Sequence, residues 1–433
     1  MTGLVPPPGS GCVLPESAEV SSDFRKRVVT FYEQFVAGGL PANVEDFLLE
    51  EFSLDVTTEY AGHRIRNPWG KASGQLSMNA TQVREDVEAG LGFVVLKTVI
   101  AQDETGKQSM DAWAIREARM QVEKNTGKLT DQSGWTVTWK GRGWWQPFDE
   151  YLTLIREARE ISSSAAEEHL REATLIVPSC KYHLPAPGET EWKTAEYEYS
   201  TQRFLEAWGA SPEEPMPLEK DFSPTLAGSD LAAAREQILN WLREVPSLIR
   251  RGAGDQASSL RVGLKIFNAM FADEFQLELL NLVHDAKPDR RPDFFIYGNR
   301  LFDPTWEFDG KVGVAYGGPD LSDRNLRVMS AFAREGDSDS HRRDLAWSAT
   351  GDIGTGKMAI EYALRGATSF QLHTFFQLPA SEYRMKSGSR TQRALHELYF
   401  HPETGFVLWA EHLRQKSASP DSVSNFSNRF GGQ

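Results

Sequence analysis

Apolar positions along this chain follow two patterns that take turns, one repeating every three to four residues and one alternating or running unbroken over a short stretch. Phe24, Val28, Phe31 and Phe35 predict a helix that Gly38-Gly39 stops, and Val44 to Glu50 predicts a second. Val56 to Ile65 alternates around Gly62 and reads as a hairpin. Strand and helix patterns then exchange repeatedly. Asn67 to Gly74 is a strand ending in small residues, Ala80 to Ala89 a helix closed by Gly90, and Gly92 to Thr98 an unbroken apolar strand of the buried parallel kind. The same exchange continues through helix Phe148 to Arg159, strand Leu175 to Ser179, helix Thr194 to Trp208 and strand Leu218 to Phe222. Helix Leu231 to Leu242, strand Ser258 to Phe267, helix Glu274 to Leu282, strand Phe294 to Tyr297 and helix Arg324 to Phe332 follow.

The run Leu345 to Phe376, LAWSATGDIGTGKMAIEYALRGATSFQLHTFF, is the most compact of these units. It reads strand, Gly-rich turn at 350–356, helix through Met358, Ile360, Ala363 and Leu364, and second strand Ser369 to His373. Its shortness leaves only a parallel crossover. Such a turn gathers backbone N–H groups and a helix N-terminus at one point, which suits a phosphate. A plain βαβ connection without a ligand has the same glycine spacing.

Composition narrows the function classes. The 433 residues are 40% hydrophobic and 25% charged, enough for one barrel-sized domain with appendages or for two domains. A net charge of -14 argues against a nucleic-acid or anionic-membrane surface. Only two cysteines, Cys12 and Cys180, are present, too few for a disulfide framework or an iron-sulfur ligand set, so a reducing cytoplasm is expected. No apolar run has transmembrane length, and residues 1–20, rich in Pro, Gly and Ser, are expected to be unordered rather than a secretory signal. The tail 417–433 is expected to be flexible.

Taken together, NPWGKASGQLS, the strand AGLGFVVLKT, and the TGDI and Gly-Ala-Thr signatures of the 345–376 unit resemble the dihydroorotate and dihydropyrimidine dehydrogenases, FMN-dependent (β/α)₈ TIM barrels. The resemblance covers about Val56 to Phe376. It implies an α/β fold with a barrel over 56–416, an N-terminal helical extension over 21–55, and an inserted β excursion over 99–147. Because class-two members meet a membrane quinone through a helical extension, the 21–55 pair has that reading as well as a cap on the barrel's bottom.

The resemblance also implies site residues. Ala72, Ser73, Gly74, Lys97 and Thr98 match the flavin-holding ends of the first two strands. Lys265 matches the lysine beside the flavin N1 and O2 edge, and a lysine in an apolar strand either snorkels out or meets an anion. Asn299 matches a substrate-binding asparagine. Gly317 and Gly318 lie in a segment similar to the family's Gly-Gly-x-Ser-Gly-Pro-Ala-Leu loop, although Val314 and Gly317 depart from it. Gly351, Asp352, His373 and Thr374 are aimed at the FMN phosphate, Asp352 and His373 departing from the family's glycines. Ser223 in Leu218 to Thr225 takes the catalytic-base place before Pro224, with Lys220 or Asp221 and Thr225 where the family has orotate-binding asparagines. Ser179-Cys180 offers a second candidate base, but the chain from Cys180 to Lys265 is far longer than one helix and one strand need. In the excursion Arg142, Trp144 and Trp145 replace the family's substrate loop, and the tryptophans have a second reading as anchors of the excursion's own core.

The implied activity is an FMN oxidoreductase acting on a CH–CH bond next to a carbonyl. With most of the family's asparagines lost, dihydroorotate is not the expected substrate. A barrel that has lost catalysis and serves as a flavin-binding or regulatory protein is the alternative. The expected partners are a small-molecule substrate, a separate electron donor or acceptor, and a second copy in a homodimer; no metal, nucleic acid or membrane span is expected.

Overall fold

Each apolar strand in this chain is too short to bury itself, and the architecture follows from lining such strands side by side under a layer of amphipathic helices. The computed structural model describes residues 11–416 except 115–118, 128–129, 141–142, 187, 223–230, 269–271, 309 and 337–344. Ser223, Thr225 and Arg142 therefore lie outside the described residues, as do positions 1–10 and 417–433.

Helices α1 (Ser22–Gly38) and α2 (Val44–Phe52) precede a hairpin of β1 (Thr58–Tyr60) and β2 (His63–Ile65). The parallel strands are β3 (Trp69–Lys71), β4 (Phe93–Val95), β5 (Val99–Ile100), β8 (Leu175–Val177), β9 (Ser179–Lys181), β10 (Met216–Asp221), β11 (Leu260–Phe267), β12 (Phe294–Asn299), β15 (Trp347–Thr350) and β16 (Ala367–Leu372). Between them run α3 (Ala80–Glu88), α4 (Phe148–His169), α5 (Thr194–Trp208), α6 (Leu231–Ala253), α7 (Asp273–His284), α8 (Leu321–Gly336) and α9 (Gly356–Ala363). Two antiparallel hairpins are inserted, β6 (Arg119–Thr126) with β7 (Ser133–Lys140), and β13 (Leu301–Phe308) with β14 (Lys311–Tyr316). Helices α10 (Arg390–Phe400) and α11 (Phe406–Lys416) complete the described chain.

The ten parallel strands form one sheet in the order β5-β9-β10-β11-β12-β15-β16-β3-β4-β8. Pro178 alone separates β8 from β9, yet β8 pairs with β4 at one end of that order while β9 pairs with β5 and β10 at the other. The sheet is thus curled, with helices around it, in the manner of a TIM barrel. Its inner face carries Phe93, Val95, Val177, Phe294 and Ile296, onto which the first hairpin inserts Tyr60, Ala61 and Ile65. Gly70 and Gly263 are needed on this face, because a Cβ at either would occupy the ring of Phe93 or Phe294. Burying such a ring contributes about 1.5–3 kcal/mol.

Helices α1 and α2 are packed on the rest of the fold. Phe24, Phe31, Phe35, Phe47 and Phe52 pack on one another and on Phe400 of α10. Glu45 of α2 binds Arg66 and Asn67 just before β3. This places the pair against the strand-start end of the sheet, as a cap. No helix among the described residues is long and apolar enough to cross a membrane.

Several expectations differ from the structure. Residues 11–20, expected to be unordered, are held along α8, α9 and α11: Val13 N–H donates to Glu361 at 2.9 Å, Arg365 to the Gly11 carbonyl at 2.5 Å, and Glu19 N–H to His412 Nδ1 at 2.9 Å. Helix α6 runs on through Pro246 because Val245, Leu248 and Ile249 extend its buried stripe. Val314 to Tyr316, read as part of a phosphate loop, belongs to strand β14, since β13 supplies pairing partners that the glycine pattern does not reveal.

Candidate functional site

Because the strands are parallel, their C-terminal ends share one edge of the curled sheet, and chemistry-bearing residues collect there. Ala72, Ser73 and Gly74 follow β3; Lys97 and Thr98 join β4 to β5; Lys265 lies near the end of β11; Asn299 ends β12; Gly351 and Asp352 follow β15; His373 and Thr374 follow β16. A chain of hydroxyls crosses three of these ends. Ser73 Oγ lies 2.8 Å from Thr98 Oγ1, which lies 3.0 Å from Ser179 Oγ, and Thr98 N–H donates to Ser73 Oγ at 2.8 Å. The strand interruption at 96–98 turns Thr98 toward both neighbours.

Cations dominate the same edge. Lys97 is 6% exposed, and among the described residues its ammonium makes no ion pair. Burial, then the nearby Arg300 and Lys265, push its pKa down to about 8, with Asp221 opposing. Lys265 is 4% exposed and donates to Gln371 Oε1 at 2.9 Å. Burial and the charges of Arg300, Lys97, Lys71 and Lys265 hold His373 well below the usual imidazole range, so it is neutral. Its ring lies against Gly74, where a Cβ would collide with it, and its Nε2 is 2.5 Å from Gln377 Nε2. An enclosed, net-positive edge of this kind favours an anion or an electron-rich ring.

The expected phosphate end is different in character. Gly351 has φ +104 and is packed against the Gly298 carbonyl and Asn325, and Asp352 beside it has φ +54. Asp352 Oδ2 accepts from Ser322 Oγ at 2.9 Å at the start of α8. Burial, reinforced by Asp320, raises the Asp352 carboxyl to about 7. Gly318, φ +114, is covered by the excursion hairpin, whose Trp135 carbonyl occupies the space a side chain would need. Gly317 is nearer the strand ends, its Cβ direction meeting Thr374 Oγ1 at 3.8 Å.

Two sequence candidates find other duties. Trp144 is buried in the main core, edge-on to Tyr151 of α4 with its Nε1 donating to the Pro147 carbonyl at 3.1 Å, so it anchors on the barrel's helix rather than in a core of the excursion's own. Cys180 pairs in register with Lys220, one residue out of step with the inward Ser179 and Glu219, and so faces the helical layer. Burial raises its thiol far above the ordinary range. Trp145 is half-buried.

Sequence reading missed the residues that link the edge to the sheet interior. Tyr60, Glu219 and Gln371 form a buried cluster beneath Lys265: Gln371 Nε2 donates to Tyr60 OH at 2.9 Å and to Glu219 Oε1, which also accepts from Tyr60 OH. The signal available was a glutamate and a glutamine at inward positions of otherwise apolar strands.

The donors at the ring end fit a flavin: two buried ammonium groups and a hydroxyl chain suit the electron-rich edge of its ring system. The phosphate end fits a phosphate only with Asp352 protonated, since a carboxylate there would repel it. Among the described residues no His, Cys, Asp and Glu cluster could hold a metal ion. No protein-family model matches this chain, and no curated protein does.

Proposed function

We propose that this chain is an FMN-dependent oxidoreductase acting on a C–C bond next to a carbonyl, with a small-molecule substrate other than dihydroorotate. The observation that carries the proposal is the pair of buried lysines, Lys97 and Lys265, beside the Ser73–Thr98–Ser179 hydroxyls at the strand ends. The proposal includes a (β/α)₈ barrel in which β4 with β5, and β8 with β9, are each one interrupted strand. A separate electron donor or acceptor, cytoplasmic residence and a homodimer belong to the same reading.

When bound, FMN supplies a hydride acceptor at its N5. Lys265 would set a positive charge at the ring's electron-rich edge, held in place by Gln371. Ser73 and Thr98 would orient the ring by hydrogen bonds, and Thr374 with Gly317 would meet the phosphate. Asn299 would hold the substrate. Ser223, the proposed proton-transfer residue, comes directly after Phe222, whose N–H donates to the Lys265 carbonyl at 3.2 Å. Serine needs a partner to act as a base.

One observation favours the second reading, a flavin-binding or regulatory barrel without catalysis. His373 covers Gly74, and Asp352 stands at the phosphate turn. The visible spectrum of the purified protein tests both. Flavin bands, followed by reduction with NAD(P)H or a dihydropyrimidine, support the enzyme; a flavin that no donor reduces supports the second reading. No chromophore and no FMN uptake would remove the enzyme and leave only a regulatory barrel without flavin.

A pH prediction follows from Lys97. The ammonium form attracts an anion, and the residue loses its proton as pH rises through about 8. FMN affinity is therefore expected to fall in two limbs, one as Asp352 ionises through about pH 7 and one as Lys97 loses its proton through about pH 8. Lys97→Met should remove the upper limb, leave the Asp352 limb, and weaken binding about tenfold, the effect of one charged hydrogen bond. Fluorescence titration of FMN across pH 6.5–9.5 checks both. An unchanged profile in the variant would assign the upper limb elsewhere.

A further inference from the structure

We infer that Glu219 is a positioning residue: from inside the sheet it dictates which end of the Gln371 amide faces Lys265, and so holds the Lys265 ammonium at the mouth of the site. An ionised carboxylate accepts hydrogen bonds and donates none. Glu219 Oε1 takes two donors, Tyr60 OH and Gln371 Nε2. The amide nitrogen of Gln371 must therefore point inward, toward Glu219 and toward Tyr60 OH at 2.9 Å. Its carbonyl oxygen is left pointing outward, where it accepts from Lys265 Nζ at 2.9 Å. Reversing the amide would bring two NH₂ hydrogens against an ammonium.

The cluster is enclosed throughout. Glu219 is 0% exposed, Gln371 1% and Tyr60 2%, so no bulk water competes for these bonds. Tyr60 reaches Glu219 from the hairpin that plugs the opposite end of the sheet, which ties the plug to the site. Both donors converge on Oε1, and among the described residues Oε2 has no hydrogen-bond partner. Burial raises the Glu219 carboxyl above its usual range, and the charge of Lys265 with the hydrogen bonds from Tyr60 and Gln371 opposes that rise in favour of the ionised form. Each of the two charged groups stabilises the other through a neutral amide.

The inference rests on the flavin reading for its chemical consequence, but it has a readout without flavin. Glu219→Gln keeps the shape and removes the acceptor-only character, so the Gln371 amide loses its enforced polarity. In protein labelled with ¹⁵N-lysine, the Lys265 Nζ resonance, assigned by Lys265→Met, is expected to shift or broaden in Glu219→Gln and to return toward the wild-type position in Glu219→Asp. In flavin-loaded protein the sulfite adduct, which gains from a cation beside the ring, is expected to weaken about tenfold in Glu219→Gln. Tyr60→Phe, which leaves the carboxylate in place, should move both readouts in the same direction by less, and serves if the glutamine variant does not fold. A folded Glu219→Gln with an unmoved Lys265 resonance and unmoved sulfite affinity would overturn the inference. A wild type that takes up no flavin, with a Lys265 resonance that still follows Glu219, would remove the flavin reading and leave the positioning role standing.

Discussion

Replacing Asp86 with Ala is expected to lower the unfolding free energy by about 3–5 kcal/mol, because it strands a buried ammonium. Lys71 lies on the outer face of β3, where the neighbouring Trp69 packs against Phe370, Tyr399 and Phe406. Its Nζ is 2.6 Å from Asp86 Oδ1 of α3, with side chains 4% and 2% exposed. Thr391 closes the triangle, accepting from Lys71 at 3.1 Å and donating to Asp86 at 2.7 Å, and the ammonium stands 4.5 Å from the Phe376 ring centre. Burial raises the Asp86 pKa, with the lysine opposing, so the carboxylate depends on its partner. Among the described residues Asp86 Oδ2 has no hydrogen-bond partner, so the pair's desolvation is incompletely offset. The double variant Lys71→Met with Asp86→Leu should then recover most of the loss, since apolar residues of similar volume replace buried pairs at little cost. Urea unfolding of both variants measures this; a loss under 1 kcal/mol in Asp86→Ala would mean the site opens to water.

On the proposed flavin function, Lys265→Met is expected to lower turnover about 100-fold or more while leaving FMN bound, the size of effect that follows loss of one preorganised charged donor. Methionine matches the lysine stem in length and suits an apolar strand, so the fold should survive. What disappears is the charge that Gln371 holds at 2.9 Å from its carbonyl. Lys265→Arg keeps a charge but spreads it over a planar group too large for the Gln371 contact, and should fall between wild type and Met. Single-turnover reduction monitored in the visible, with flavin content measured separately, separates loss of rate from loss of cofactor. Turnover within threefold of wild type in Lys265→Met would rule out the assigned role.

The order of elements was legible in the residues alone because each element announces itself locally. Helix α5 spans Thr194–Trp208 as its periodicity predicts, with Gly209 as an αL cap, and the apolar run at 258–267 lies in a parallel strand, whereas the run at 92–98, expected to be one unbroken strand, is a strand only over Phe93–Val95. Positions at the strand ends were legible for the same reason: once strands are parallel, chain direction alone sends Ser73, Lys97, Lys265 and His373 to one edge. Side-chain direction was not. Trp144 faces the core, Cys180 faces the helices, and Gly318 is covered by a hairpin strand it is remote from in the chain. Those outcomes depend on register, on a strand break at Pro178 and on contacts between inserted hairpins, which no local pattern encodes.

By itself, then, the amino-acid sequence determined the alternation of strands and helices, the parallel sense of the sheet and the edge to which its polar residues go, because periodicity and crossover length act over a few residues. Only the tertiary structure decided that Tyr60, Glu219 and Gln371, from three distant segments, meet beneath Lys265. A buried charge finds its partners through the closing of the whole sheet, and that closure is a property of all its strands together.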